Sequence, residues 1–84
     1  MTAYPKFGVG NPASAFAVTT SDTVDLPNGP CRSLYIGVAG DVTLIPSKSG
    51  QSVLFKAVPV GILPVQASRV LAAGTLATNI VALY

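Results

Sequence analysis

The chain has no histidine, no tryptophan and no glutamate, one cysteine, and few charges of either sign. Each absence removes a class of chemistry. Without histidine the commonest general base is missing, along with the usual activator of a nucleophilic serine or cysteine. A lone Cys31 allows neither an intrachain disulfide nor a cysteine-based metal site within one chain, and with no histidine to activate it the thiol reads as a small semi-apolar filler. The cations are Lys6, Arg32, Lys48, Lys56 and Arg69, the anions Asp22, Asp25 and Asp41. With a net charge of +2 and no basic run or stripe, nothing points to nucleic acid as a partner.

Long apolar runs are missing too. A membrane-spanning helix needs roughly 20 apolar residues, and the longest uncharged stretch, Val70 to Tyr84, is broken by Gly74, Thr75, Thr78 and Asn79. No membrane partner is expected. The Ala13-Ser14-Ala15 triplet imitates a signal-peptidase site, but Pro5, Lys6, Asn11 and Pro12 precede it where a continuous apolar segment would be needed, so no secretion signal is read there.

What is present is apolar: 50% of the 84 residues are hydrophobic and 10% are charged, against about 25% charged in an ordinary soluble domain. A domain of this size buries only about 60% of the surface its unfolded chain exposes. A solitary subunit would therefore present apolar patches to water, and burial between subunits is the simplest remedy.

From Ser14 onward short runs of Val, Ile, Leu, Phe and Thr alternate with Gly, Pro, Asn and Ser, which is the pattern of strands and turns. The expected fold is all-β, a small antiparallel β-sandwich or barrel of about six to seven short strands, formed by residues 14–84 as a single domain. Arg32 to Val38 alternates most cleanly, with Leu34, Ile36 and Val38 on one face. Val42 to Ile45 and Ser52 to Lys56 follow, so three consecutive antiparallel strands are expected over this stretch. Leu26-Pro27-Asn28-Gly29 has the chemistry of a turn. Pro59, Gly61 and Pro64 place the next apolar stretch at a sheet edge or bulge. Thr78 to Tyr84 is apolar on both faces, so it belongs inside a sandwich, a barrel or a subunit interface.

Residues 1–13 contain Pro5, Gly8, Gly10 and Pro12 and read as an extended N-terminal arm. Within it Tyr4 and Phe7 are natural aromatic anchors if the arm docks; simple terminal disorder is the competing reading. With Val81, Leu83 and Tyr84 they are the candidate assembly contacts. Arg69, in apolar surroundings, must find a partner or reach solvent. A structural ion pair with Asp41 or Asp22 is expected. Asp22 and Asp25 are too few for a calcium loop and suit local backbone bonding better. Gly37, Gly40, Gly8 and Gly10 match no phosphate-binding loop and read as turn glycines. No catalytic, cofactor or metal residue emerges, and no cofactor is expected. An enzyme would need groups combined from adjacent copies.

Two groups of residues carry a resemblance. Phe16-Ala17-Val18-Thr19, Ser21-Asp22 and Asp25-Leu26-Pro27 precede Arg32-Ser33-Leu34-Tyr35-Ile36-Gly37 and Ala39-Gly40-Asp41. Later come Gly61-Ile62-Leu63-Pro64-Val65, Arg69-Val70, Gly74-Thr75, Ala77-Thr78 and Ile80-Val81-Ala82-Leu83-Tyr84. In order and spacing these resemble the spike base protein family of gene transfer agents (GTAs) and tailed phages, from Ala15 to Tyr84. The resemblance implies a virion structural protein on the outer surface of a capsid, at its vertices, made in the host cytoplasm. The implied partners are the major capsid protein and a spike fibre protein mounted above it. Copies of the chain would form a homo-oligomer, for which a closed cyclic ring gives every copy the same two neighbours. The competing expectation is a free carbohydrate-binding, lectin-like β module, with Tyr4, Tyr35 or Tyr84 as a stacking platform.

Overall fold

The computed structural model describes residues 13–84, so the arm with Tyr4, Phe7, Gly8 and Gly10 lies outside the described residues. The fold is all-β. Among the described residues seven strands follow in order: β1 (Ala15–Ala17), β2 (Ser33–Val38), β3 (Gly40–Pro46), β4 (Val53–Val58), β5 (Gly61–Leu63), β6 (Ala67–Val70) and β7 (Thr78–Leu83). They form a four-stranded sheet, β1-β7-β2-β5, and a three-stranded sheet, β4-β3-β6, antiparallel throughout. Leu34, Ile36, Ile80 and Ala82 of the first sheet share one buried cluster with Val42, Leu44, Ala67 and Val70 of the second. That shared cluster makes the fold a sandwich. Among the described residues no helix is long and apolar enough to cross a membrane.

Period-two alternation places the core. In β2, Leu34 and Ile36 are fully buried while Tyr35 between them is exposed. In β3, Val42 and Leu44 are fully buried and Thr43 and Ile45 only partly so. Each aliphatic side chain taken wholly out of water contributes about 1.5–3 kcal/mol, and among the described residues no polar or charged one is buried with them. The core is therefore an uninterrupted apolar layer with no ionic group to satisfy.

The three consecutive antiparallel strands expected over 32–56 do not form. β3 and β4 pair as a hairpin, but β2 pairs with β5 and β7 and lies in the other sheet. The physical reason is the connection. Only Ala39 separates Val38 from Gly40, and a hairpin needs a loop of at least about two residues. The chain instead turns a corner and crosses from one sheet to the other. Gly37 and Gly40 are consequently not turn glycines. They lie within strands where another backbone comes close: a Cβ on Gly37 would stand 2.7 Å from both Cβ and the carbonyl oxygen of Asn79, and one on Gly40 would stand 2.7 Å from the amide nitrogen of Ala77. Asn79 itself has a φ of 54°, left-handed, which brings it onto β2 at that point.

The Pro59–Pro64 stretch does supply an edge strand, β5. The outer edge of β6 is closed by the segment between β1 and β2: Ser21, Leu26 and Cys31 donate their amide hydrogens to the carbonyls of Val70, Ser68 and Ala67. Val24 to Leu26 is part of this irregular cover, with Leu26 in the core. The turn at 26–29 closes with Gly29 N–H donating to the Leu26 carbonyl at 3.1 Å, and Gly29 has a φ of 85°.

Candidate assembly surface

Charge is divided sharply between the two sheets. β1, β2, β5 and β7 hold no charged residue at all. The three charges that fall in strands, Asp41, Lys56 and Arg69, all belong to the three-stranded sheet. Register brings Ala17, Val81, Tyr35 and Ile62 into one row across all four strands of the uncharged sheet. By alternation this row lies on the face away from the core, since the neighbours Leu34, Ile36, Ile80 and Ala82 point inward. Ala15, Leu83 and Ser33 form the adjacent row. Ile62 is 57% and Tyr35 39% exposed in the single chain. The outer face of this sheet is therefore apolar, open and without the charges that normally guard a solvated sheet.

Of the candidate assembly contacts, Val81 and Leu83 stand together on this face. Tyr84 is turned the other way. Its ring meets that of Phe16 edge-on with centroids 5.7 Å apart, it packs against the core, and its hydroxyl donates to the Gly29 carbonyl at 2.8 Å. Burial pushes the Tyr84 phenol above its ordinary value, with a smaller push from Cys31 nearby. Tyr35 and Ile62 complete the row, and no local pattern reveals them. Ile62 joins Val81 only because β2 lies between β5 and β7, a pairing decided over long sequence separations.

Arg69 lies where an ion pair was expected, but its partner differs. Its Nε donates to Asp25 Oδ1 at 2.8 Å, and a guanidinium N–H donates to the backbone carbonyl of Asp22 at 3.1 Å. The Asp22 carboxylate is occupied elsewhere, accepting from the amides of Ala72 and Ala73 at 3.0 and 2.9 Å. Asp41 accepts from the Ala57 amide at 2.8 Å. The pairing has a topological cause: the segment covering β6 carries Asp25 past Arg69, whereas Asp41 sits at the start of β3 beside the end of β4. Side-chain exposures of 24% for Arg69 and 63% for Asp25 make this a solvent-screened bond, worth about 0–1 kcal/mol. It fastens the 21–31 cover and supplies no chemistry.

Cys31 ends that cover and is itself buried, with Sγ 4.0 Å from the Val65 carbonyl. Burial raises its thiol above the ordinary 9.0, against a smaller lowering by backbone hydrogen bonding at Ala67. Buried in the apolar cluster, the thiol serves as a packing group. Among the described residues no three of His, Cys, Asp and Glu come together as a metal site.

No family model matches the chain, and no curated protein matches it either. A solved structure of the capsid of a native GTA particle, computed with C5 symmetry, contains a chain similar to this one. The two are 31% identical, the match covers 100% of each, and the TM-score is 0.79.

Proposed function

The chain belongs to the family of that GTA capsid component, a structural protein of a virion, and from this premise we propose that it forms the oligomeric base of a head spike. In this reading copies of the domain 14–84 close into a cyclic ring at a capsid vertex. The major capsid protein lies below and a spike fibre is mounted above. The single observation that carries it is the uncharged outer sheet: a virion component can leave an apolar row such as Ala17, Val81, Tyr35 and Ile62 open in the free chain because assembly covers it. Synthesis in the host cytoplasm and addition to the outer surface of the head complete the proposal.

Of the stacking candidates for a free carbohydrate-binding module, Tyr4 lies outside the described residues, and the surroundings of Tyr84 and Tyr35 do not favour that reading. The Tyr84 ring is packed against Phe16, and Tyr35 lies between the apolar Val81 and Ile62 in its row. Two measurements test the proposal. Native mass spectrometry of the full chain should give a closed oligomer at micromolar concentration; a monomer there defeats the ring. Particles lacking the subunit should lose density at their vertices; unchanged vertices defeat the location.

A further inference from the structure

The turn at 26–29, within the 21–31 cover, carries a chemically reactive dipeptide. The chain has three asparagines, Asn11, Asn28 and Asn79, and of these Asn28 alone is followed by glycine. An asparagine side chain can be attacked by the amide nitrogen of the next residue, closing a cyclic imide. That attack needs a following residue with an N–H and little bulk. Pro12 after Asn11 has no N–H. Ile80 after Asn79 is β-branched, buried, and paired with Ile36 in the β2–β7 ladder. Gly29 has no side chain to obstruct the approach, and Asn28 is exposed. Two hydrogen bonds hold Gly29. Its N–H, the group that must attack, donates to the Leu26 carbonyl at 3.1 Å, and its carbonyl accepts from the Tyr84 hydroxyl at 2.8 Å. Leu26 is anchored in turn, buried in the core with its own amide bonded to the Ser68 carbonyl. While both bonds stand, the Gly29 nitrogen is engaged with Leu26 and unavailable to its neighbour's side chain.

We propose that Asn28 is a site of spontaneous deamidation and that the Tyr84 hydroxyl is the latch that sets its rate. When the turn opens, the Gly29 nitrogen gives its proton to hydroxide and bonds to Asn28 Cγ. The Cγ–Nδ2 bond then breaks, and Nδ2 takes up a proton and leaves as ammonia. Water opens the imide at either carbonyl. Opening at Cγ restores the main chain with aspartate at 28. Opening at the main-chain carbonyl leaves the chain running through the side-chain carbon, an isoaspartyl link longer by one methylene. Water is the one co-reactant, and the inference does not depend on the ring. Either product puts a carboxylate at 28 and lowers the net charge by one from +2. Asn28 borders an open, predominantly apolar groove of about 400 Å³, lined also by Phe16, Val24, Leu26 and Tyr84, so the new charge stands beside apolar surface. The isoaspartyl form also carries Gly29 out of register with the Leu26 carbonyl and the Tyr84 hydroxyl. It loosens the cover just before Cys31, whose amide closes the edge of β6 on the Ala67 carbonyl.

The test incubates the full-length chain in mildly alkaline buffer and follows Asn28 by peptide mapping, with fragmentation that distinguishes aspartate from isoaspartate. Both products are expected at 28, with Asn11 and Asn79 unchanged. Tyr84→Phe removes the latch while keeping the ring. It should convert about fivefold faster, the equivalent of one hydrogen bond of about 1 kcal/mol. Gly37→Ala weakens the sandwich away from this turn and, with the chain still folded by circular dichroism, should leave the rate at 28 unchanged. Asn28 left intact while the urea-unfolded chain converts, or intact in both, overturns the site. An unchanged rate in Tyr84→Phe overturns the latch. Equal acceleration by Gly37→Ala means that the reaction passes through unfolding of the whole domain, and this overturns the latch as well.

Discussion

Replacing Ile62 by Asp puts a charge in the middle of the apolar row while touching nothing in the core. Ile62 is 57% exposed in the single chain, so more than half of its burial remains to be gained on assembly. A fully buried Ile contributes about 1.5–3 kcal/mol, which leaves about 1–1.5 kcal/mol for the contact. A carboxylate enclosed without a partner adds about 1–3 kcal/mol of lost solvation. The sum, about 2–4 kcal/mol per contact, weakens association by about 30- to 1,000-fold. The assay is sedimentation velocity or native mass spectrometry over a dilution series, with circular dichroism melts run in parallel. The melt of Ile62→Asp should move only by the cross-strand pairing with Tyr35, about 0.2–1 kcal/mol. Ile62→Thr keeps the β-branched shape and should show the burial loss without the charge. Were Ile62→Asp to assemble at the concentrations that suffice for the unaltered chain, the uncharged face would not be the interface.

On the opposite sheet, Lys56→Gln should leave the dilution series unchanged, because Lys56 lies on β4, outside the uncharged sheet whose outer face the proposal assigns to contacts between copies. Gly37→Ala must displace Asn79, whose backbone would lie 2.7 Å from the new Cβ; a loss of about 1–3 kcal/mol in denaturant unfolding is expected. Asp22→Ala removes the acceptor of two amides and should destabilise more than Asp25→Ala, whose exposed bond to Arg69 contributes about 0–1 kcal/mol and fades with salt. Stability should fall as pH rises above about 9. Cys31 and Tyr84 both have folded values raised above the ordinary 9.0 and 10.0, so the unfolded chain releases its protons first. Their contribution is complete below those values and is lost as pH climbs through the folded ones. Cys31→Ala should flatten the decline, measured as unfolding free energy from pH 7 to 11.

Local sequence determined the strands and which way they face. Alternation at Leu34-Tyr35-Ile36 and Val42-Thr43-Leu44 predicted the buried layer, because a strand's side chains switch faces at every residue whatever the strand pairs with. Prolines 59 and 64 marked the edge strand, and the scarcity of charge announced surface in need of cover. Pairing was legible only where the connection was short and local, as in β3 and β4. Tertiary structure alone decided that β2 leaves β3 for β5 and β7, that Asp25 and not Asp41 or Asp22 bonds the Arg69 side chain, and that Ile62, Tyr35, Val81 and Ala17 form one row. The physical reason is that these contacts join residues far apart in the chain. Their energy depends on which edges and faces remain free once the whole sandwich has closed, and no local pattern of residues encodes that.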